Sequence, residues 1–146
     1  MSCGVKPNSG SLRPMEDALR QHGAFADLVG YRLTDWREGA AEVSLEVGPQ
    51  HLNRSGVLHG GVLTAMIDAA CGYAGCYSAP GAPPRRAFTL SMETQFVAAA
   101  EAGSRLTVTA RKTGGGARIF FARSEARDQE GRLIGQGSAV YRYRGS

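Results

Sequence analysis

The segment that most constrains how this chain can fold is 58–78, where Val62, Leu63, Ala65, Met66, Ile67, Ala69, Ala70, Cys71, Tyr73, Ala74 and Cys76 cover the whole circumference of a helix. A helix that is apolar all round has no face for water and must be covered on every side. The flanking sequence supplies cover in period two. Before the helix, 31–35 and 41–47 read as strands about a turn at Glu38-Gly39, with Val43, Leu45 and Val47 alternating against Glu42, Ser44 and Glu46. After a Pro/Gly loop at 79–84, four more strands are expected at 87–97, 105–113, 118–127 and 133–143, with turns at Gly114-Gly115-Gly116 and Asp128-Gln129-Glu130-Gly131. Six antiparallel strands wrapped around one long helix make an α+β layer arrangement, with the concave face of the sheet on the helix. One sheet covers one side. The simplest cover for the other is a second copy of the chain, so burial alone predicts a homodimer.

A length of 146 residues with 42% hydrophobic content suits one domain with one core. Residues 1–13 are rich in Ser, Gly and Pro without periodicity and read as a disordered tail, leaving 14–146 as the domain. Met15, Ala18, Leu19, Phe25 and Leu28 give 14–28 the pattern of a short amphipathic helix, broken near Gly23, that covers a sheet edge or pocket. No apolar run approaches the roughly 18 residues of a membrane span, and the N-terminus lacks a signal-peptide core. A cytoplasmic protein with no membrane partner is expected.

The formal charge of +4 comes from basic residues dispersed along strand-like segments with no run of five or more. That pattern argues against nucleic acid and suits a small phosphate-bearing ligand. Cys3, Cys71 and Cys76 are odd in number, the last two point to different helix faces, and all read as reduced. With His22, His51 and His59 scattered, no zinc-type spacing exists and no metal is expected.

Residues 53–68 hold polar groups that a buried helix does not need. Asp68 stands in mid-helix, where an ionised carboxylate is costly unless it is partnered or used. A neighbouring donor is the structural explanation. A nucleophile or a general base for water is the functional one, since burial raises a carboxyl pKa and makes a better base. His59-Gly60-Gly61 opens the helix, where free N–H groups and the positive dipole end polarise a carbonyl. Gly60, lacking a Cβ, lets a substrate oxygen approach its amide as an oxyanion hole requires, although the glycine pair would also suit a tight turn. Gly60 and Asp68 are eight residues apart, roughly 12 Å along one helix and too far to touch one carbonyl. Two such helices antiparallel across a dimer axis bring Gly60 of one chain to Asp68 of the other, giving two equivalent composite sites.

From about residue 15 to 143 the chain resembles the hot-dog-fold acyl-coenzyme A thioesterases of the phenylacetic-acid-degradation (PaaI-like) type. The most specific match is Asn53, then His-Gly-Gly six residues on, then Asp68 nine after the His. The resemblance implies hydrolysis of an acyl-CoA to free acid and coenzyme A, with no cofactor beyond the CoA of the substrate, by a dimer or a tetramer of two dimers. It also implies that Asn53 orients the thioester, Gly60 donates the polarising amide, and the partner's Asp68 attacks or activates water. Thr89, in Phe88-Thr89-Leu90-Ser91-Met92, falls where the family holds the hydrolytic water, with Ser91 as its competitor. His59 shapes the turn near Asn53 and supports the site. Gly61 and Leu58 adjoin the substrate, and Phe25, Leu28, Leu58 and Tyr73 are expected around the acyl group. Arg85, Arg86, Arg54, Lys112 and Arg118 are the candidates for the CoA phosphates.

Two other activities stay open. A dehydratase or hydratase of acyl thioesters would use a His with an acid on the central helix, which keeps His59 in view, although a His before Gly-Gly paired with Asn53 fits the thioesterase motif better. A non-catalytic acyl-CoA sensor has no need of a buried carboxylate. A plain dimerisation domain leaves Asn53, Gly60 and Asp68 unexplained.

Overall fold

The computed structural model describes residues 22–145, so the expected tail at 1–13 and the first half of the expected helix at 14–28 lie outside the described residues. The described part of that helix is α1 (Ala24–Val29), which starts after Gly23 and is closed by the Gly30 amide on Ala26 O at 2.7 Å. There follow β1 (Arg32–Arg37), β2 (Ala40–Glu46), a 3-10 turn (Pro49–His51), α2 (Gly60–Cys76), β3 (Ala87–Phe96), β4 (Arg105–Gly115), β5 (Ile119–Arg127) and β6 (Leu133–Tyr143). All pairings are antiparallel, in the order β1-β2-β4-β5-β6-β3. β3 thus takes the far edge, beside β6 and not beside β4.

α2 is shorter than its apolar run by two residues at each end. His59 is extended (φ −66°, ψ 131°) and caps the helix by accepting the Gly61 amide on Nδ1 at 2.8 Å, while Tyr77 leaves the helix with φ −56°, ψ 135°. The strands alternate as their sequence does, with Val43, Leu106, Val108, Phe120, Ala122 and Ala126 buried against the helix and their neighbours outward. Phe120, Met66, Ile67, Leu106 and Ile134 are the largest fully buried side chains, each contributing about 1.5–3 kcal/mol. α2 lies close on β6 because Gly135 and Gly137 have no side chain there. A Cβ would stand 2.7 Å from Leu63 Cδ2 at the first and 2.9 Å from Ile67 Cγ2 at the second.

The helix is covered on one side only. Leu63, Met66, Ile67, Ala70, Cys71 and Ala74 are buried, whereas Val62, Ala65, Asp68, Ala69, Gly72 and Tyr73 are half-buried and Gly61 is exposed. A helix expected to be buried all round is therefore left open along one face by its own chain. Among the described residues no helix is long and apolar enough to cross a membrane.

One irregularity positions the site. The β3–β6 register shifts between Thr89 and Ser91, so Thr89 pairs with Tyr141 and Met92 with Ala139. Tyr141 and Ala139 both face the helix, and the bulge lets an odd and an even residue of β3 do the same. Strict alternation from Met92 would have turned Thr89 outward.

Candidate active site

Asp68 sits at mid-length on the open face of α2 and lines a cavity of about 540 Å³. Tyr31, Trp36 and Tyr73 form an aromatic wall of that cavity, and Arg85 and Arg86 a basic one. The carboxylate is half-buried and partnered. Thr89 Oγ1 donates to its Oδ1 at 2.7 Å, and the single proton of Tyr141 Oη has two acceptors in reach, the same Oδ1 at 3.0 Å and the Asp68 carbonyl at 2.7 Å. Burial, and after it the nearby Asp68 charge, pushes the Tyr141 phenol well above the usual tyrosine range. Tyr31 is raised by burial first and then by Tyr73 and Asp68. The wall is braced by Trp36, whose Nε1 donates to Tyr73 O at 2.8 Å and whose ring meets Tyr73 and Tyr77 edge-on.

A second cavity, of about 410 Å³, is lined by Asn53, Leu58, Gly60 and Phe96. The Asn53 turn holds itself together: Asn53 N donates to Val57 O at 2.8 Å, and Asn53 Oδ1 accepts from Ser55 N at 2.9 Å and Val57 N at 3.3 Å. Because both partners are N–H donors, the oxygen is spent on the turn, and the side-chain NH₂ is what remains to meet a ligand. Gly60, first in the helix, has no acceptor within it for its amide, whereas the Gly61 amide is occupied by His59. The cavity is thus offered two donors and no carboxylate, an arrangement suited to an oxygen that gains negative charge.

Within one chain Asp68 and Thr89 share the first cavity, and Asn53, Gly60 and Leu58 the second. Ser91 is turned to the outer face beside Phe121, Arg123 and Val140, away from Asp68, which corrects its expected place near the substrate. Phe25 and Leu28 are 59% and 80% exposed and line neither cavity within one chain, whereas Tyr73 lines the first and Leu58 the second. Arg85 lies over the Tyr143 ring at 3.8 Å, Lys112 Nζ is 3.4 Å from Tyr143 Oη, and the Arg118 carbonyl accepts from Tyr143 N. Those three candidates thus gather around Tyr143, whose hydroxyl donates to Gly75 O in the last turn of α2, and of them Arg85 lines the first cavity.

Two residues escaped the sequence reading. One is Tyr141, which nothing in the sequence sets apart from the other residues of its strand. His51, 4% exposed, accepts from Gly48 N on Nδ1 at 2.9 Å and donates from Nε2 to Val29 O at 2.5 Å, tying α1 to the segment that carries Asn53. Among the described residues no group of three His, Cys, Asp or Glu side chains could hold a metal ion.

Residues 55–135 match the model of the Thioesterase superfamily. A Pseudomonas aeruginosa protein provisionally named an esterase is 32% identical over 99 residues, 68% of this chain and 72% of its own. The solved structure of a variant of the phenylacetic acid degradation protein PaaI from Thermus thermophilus is 26% identical, spans 82% of this chain and 98% of its own, and superposes with a TM-score of 0.72. PaaI from the phenylacetic acid degradation operon of E. coli shares the fold with a TM-score of 0.80 over 94% of this chain and 98% of its own, at 24% identity.

Proposed function

This chain belongs to the thioesterase superfamily and has its hot-dog fold, and we propose that its substrate is an acyl-CoA, hydrolysed to the free acid and coenzyme A in the cytoplasm by a homodimer with two composite sites. The observation that carries this reading is the Asp68 carboxylate, held by Thr89 and Tyr141 in a cavity with Arg85 and Arg86 on its wall. A half-buried carboxylate in a binding cavity is poised for chemistry, and guanidinium groups beside it suit the phosphates of CoA.

In each site one protomer supplies the Gly60 amide and the Asn53 NH₂ to the thioester oxygen, and the partner's Asp68 supplies the carboxylate. Loss of one such donor typically costs about 10²–10³ in rate. Asp68 either attacks the acyl carbon, expelling coenzyme A as its thiolate before water releases the acid, or takes a proton from the water that attacks. The single Thr89 proton is given to Asp68, so its lone pairs are what it offers to that water. The unpaired edge of β3 and the open face of α2 favour the dimer, and exposed Phe88 and Phe121 on the outer sheet face favour pairing of two dimers. His59 Nδ1, occupied by the Gly61 amide, fits a helix cap better than the base of a dehydratase.

Release of free thiol from a panel of acyl-CoAs, short aliphatic to phenylacetyl and hydroxybenzoyl, tests the reading in wild type and Asp68→Asn. Turnover by wild type and a loss of at least about a hundredfold in a folded oligomeric variant are expected. Binding of the panel without hydrolysis by either protein would instead mark a sensor.

A further inference from the structure

We infer that Tyr141 is a positioning residue for this reaction: together with Thr89 it clamps Oδ1 of Asp68 and leaves Oδ2 as the oxygen that attacks or takes the proton. The inference rests on the thioesterase reading of the site. Its basis is that both side-chain donors reach one oxygen, Thr89 Oγ1 at 2.7 Å and Tyr141 Oη at 3.0 Å. Among the described residues Oδ2 has no protein donor, and it is not one of the buried unpartnered atoms, so it opens to the cavity. A carboxylate turns readily about its last torsion, and two donors on one oxygen remove that freedom. The two oxygens are thereby made different: one is fixed to the sheet and the other is presented to the substrate.

Tyr141 is built to hold still. It is 2% exposed, stacks on Phe120 at 4.8 Å with the rings 9° from parallel, and lies against Gly72, where a Cβ would stand 3.5 Å from the ring. It is the cross-strand partner of Thr89, so the bulge that turns Thr89 inward brings the two hydroxyls to the same carboxylate. The single phenol proton has a second acceptor in the Asp68 carbonyl at 2.7 Å, but an ionised carboxylate is the stronger one. The phenol is held far above the usual tyrosine range by burial and then by the charge of Asp68, which keeps it a donor throughout the working pH range.

A purely structural tyrosine would fill space and satisfy that carbonyl. The two roles separate in Tyr141→Phe and Tyr141→Leu, assayed for kcat and KM on the best substrate of wild type and for melting temperature and oligomeric state. Phe keeps the ring stack and loses only the hydroxyl. The expected result is that both variants lose about tenfold in kcat with KM within about twofold of wild type, while only Leu melts markedly lower. A Phe variant with the kcat of wild type, or kcat that simply follows melting temperature so that Leu alone is impaired, overturns the positioning role and leaves the thioesterase reading intact. Absence of any thioester turnover by wild type overturns that reading, and this role with it.

Discussion

A methyl group at Gly75 tests the packing on which the site rests. Gly75 is buried in the last turn of α2, and a Cβ there would stand 2.0 Å from Phe120 Cε2 and 2.2 Å from Cζ. The ring would have to move, and it has no room. Phe120 has no exposed surface, lies parallel to Tyr141 at 4.8 Å, and meets Tyr143 on a tilt at 4.8 Å. Overpacking of a filled core costs about 1–3 kcal/mol, and the upper end applies here; replacing Gly by Ala inside a helix returns about 1 kcal/mol. Gly75→Ala should therefore lose about 2 kcal/mol, which is roughly 4–8 °C in melting temperature for a chain of this size. Gly72→Ala is the matched control, because its Cβ would meet Tyr141 Cε1 at 3.5 Å, an ordinary contact. Within its own chain only the helical gain of about 1 kcal/mol then remains, and, since Gly72 lies on the face proposed to meet the partner, that variant should melt slightly higher when its oligomeric state is that of wild type. Calorimetry at one protein concentration compares the three, since an oligomer's melting depends on concentration. Gly75→Ala melting at or above wild type, or Gly72→Ala falling with it, would refute the reasoning. A displaced Phe120 also reaches Asp68 through Tyr141, so the kcat of Gly75→Ala should drop as well.

Two further outcomes follow from the same geometry. Gly60→Pro deletes the amide donor at the first helical position, where backbone geometry accepts proline and His59 already has the extended backbone a proline requires before it, while the exposed Phe96 ring, 2.9 Å from the added Cβ, must shift aside; co-assembled with Asp68→Asn, each mixed dimer would regain one intact composite site, so an equal mixture of two inactive parents should recover roughly a quarter of wild-type activity, and no recovery in mixed dimers shown to form would sink the shared site. Burial pushes the Cys71 and Cys76 thiols up to about 11; Cys71, with no exposed surface, should not react with a disulfide reagent near neutral pH until the protein unfolds, while Cys76, on the wall of the first cavity, should react only slowly, and fast labelling of Cys71 in the native protein would contradict its burial.

Much of this fold was legible because its patterns are local. Val43, Leu45 and Val47 alternate with charged and hydroxyl residues, and β2 was expected within a residue of its ends; apolar positions on every side of 58–78 marked the helix. Asp68 stood out as a carboxylate where only apolar residues were needed. What stayed hidden was non-local. Nothing in Thr89-Leu90-Ser91 announces a bulge, so Ser91 stood as a competitor to Thr89 until the β3–β6 register turned Thr89 inward and Ser91 outward. Tyr141 is 73 residues from Asp68, and its hydroxyl matters only because β6 lies beside β3, a placement set by closing the sheet around the helix. Phe25 and Leu28 have the spacing of a covering helix, yet α1 buries Ala26 alone among its residues.

The open face of α2 joins the two halves of the account. The sheet leaves one face of an apolar helix half-covered, and that face carries Asp68. Along the same helix Gly60 and Asp68 are separated by a rise of roughly 12 Å, so one chain alone holds the carboxylate in one cavity and the Gly60 and Asn53 donors in another. In the antiparallel dimer we propose, a second copy would cover that exposed apolar surface and bring the Gly60 amide of one chain to the Asp68 carboxylate of the other. Association and catalysis then draw on one surface. Substitutions at Val62, Ala65 or Ala69 that weaken packing between copies should therefore lower activity without touching a reacting group, because an isolated chain retains its fold-side contacts to Asp68 and lacks the donors that its carboxylate must face.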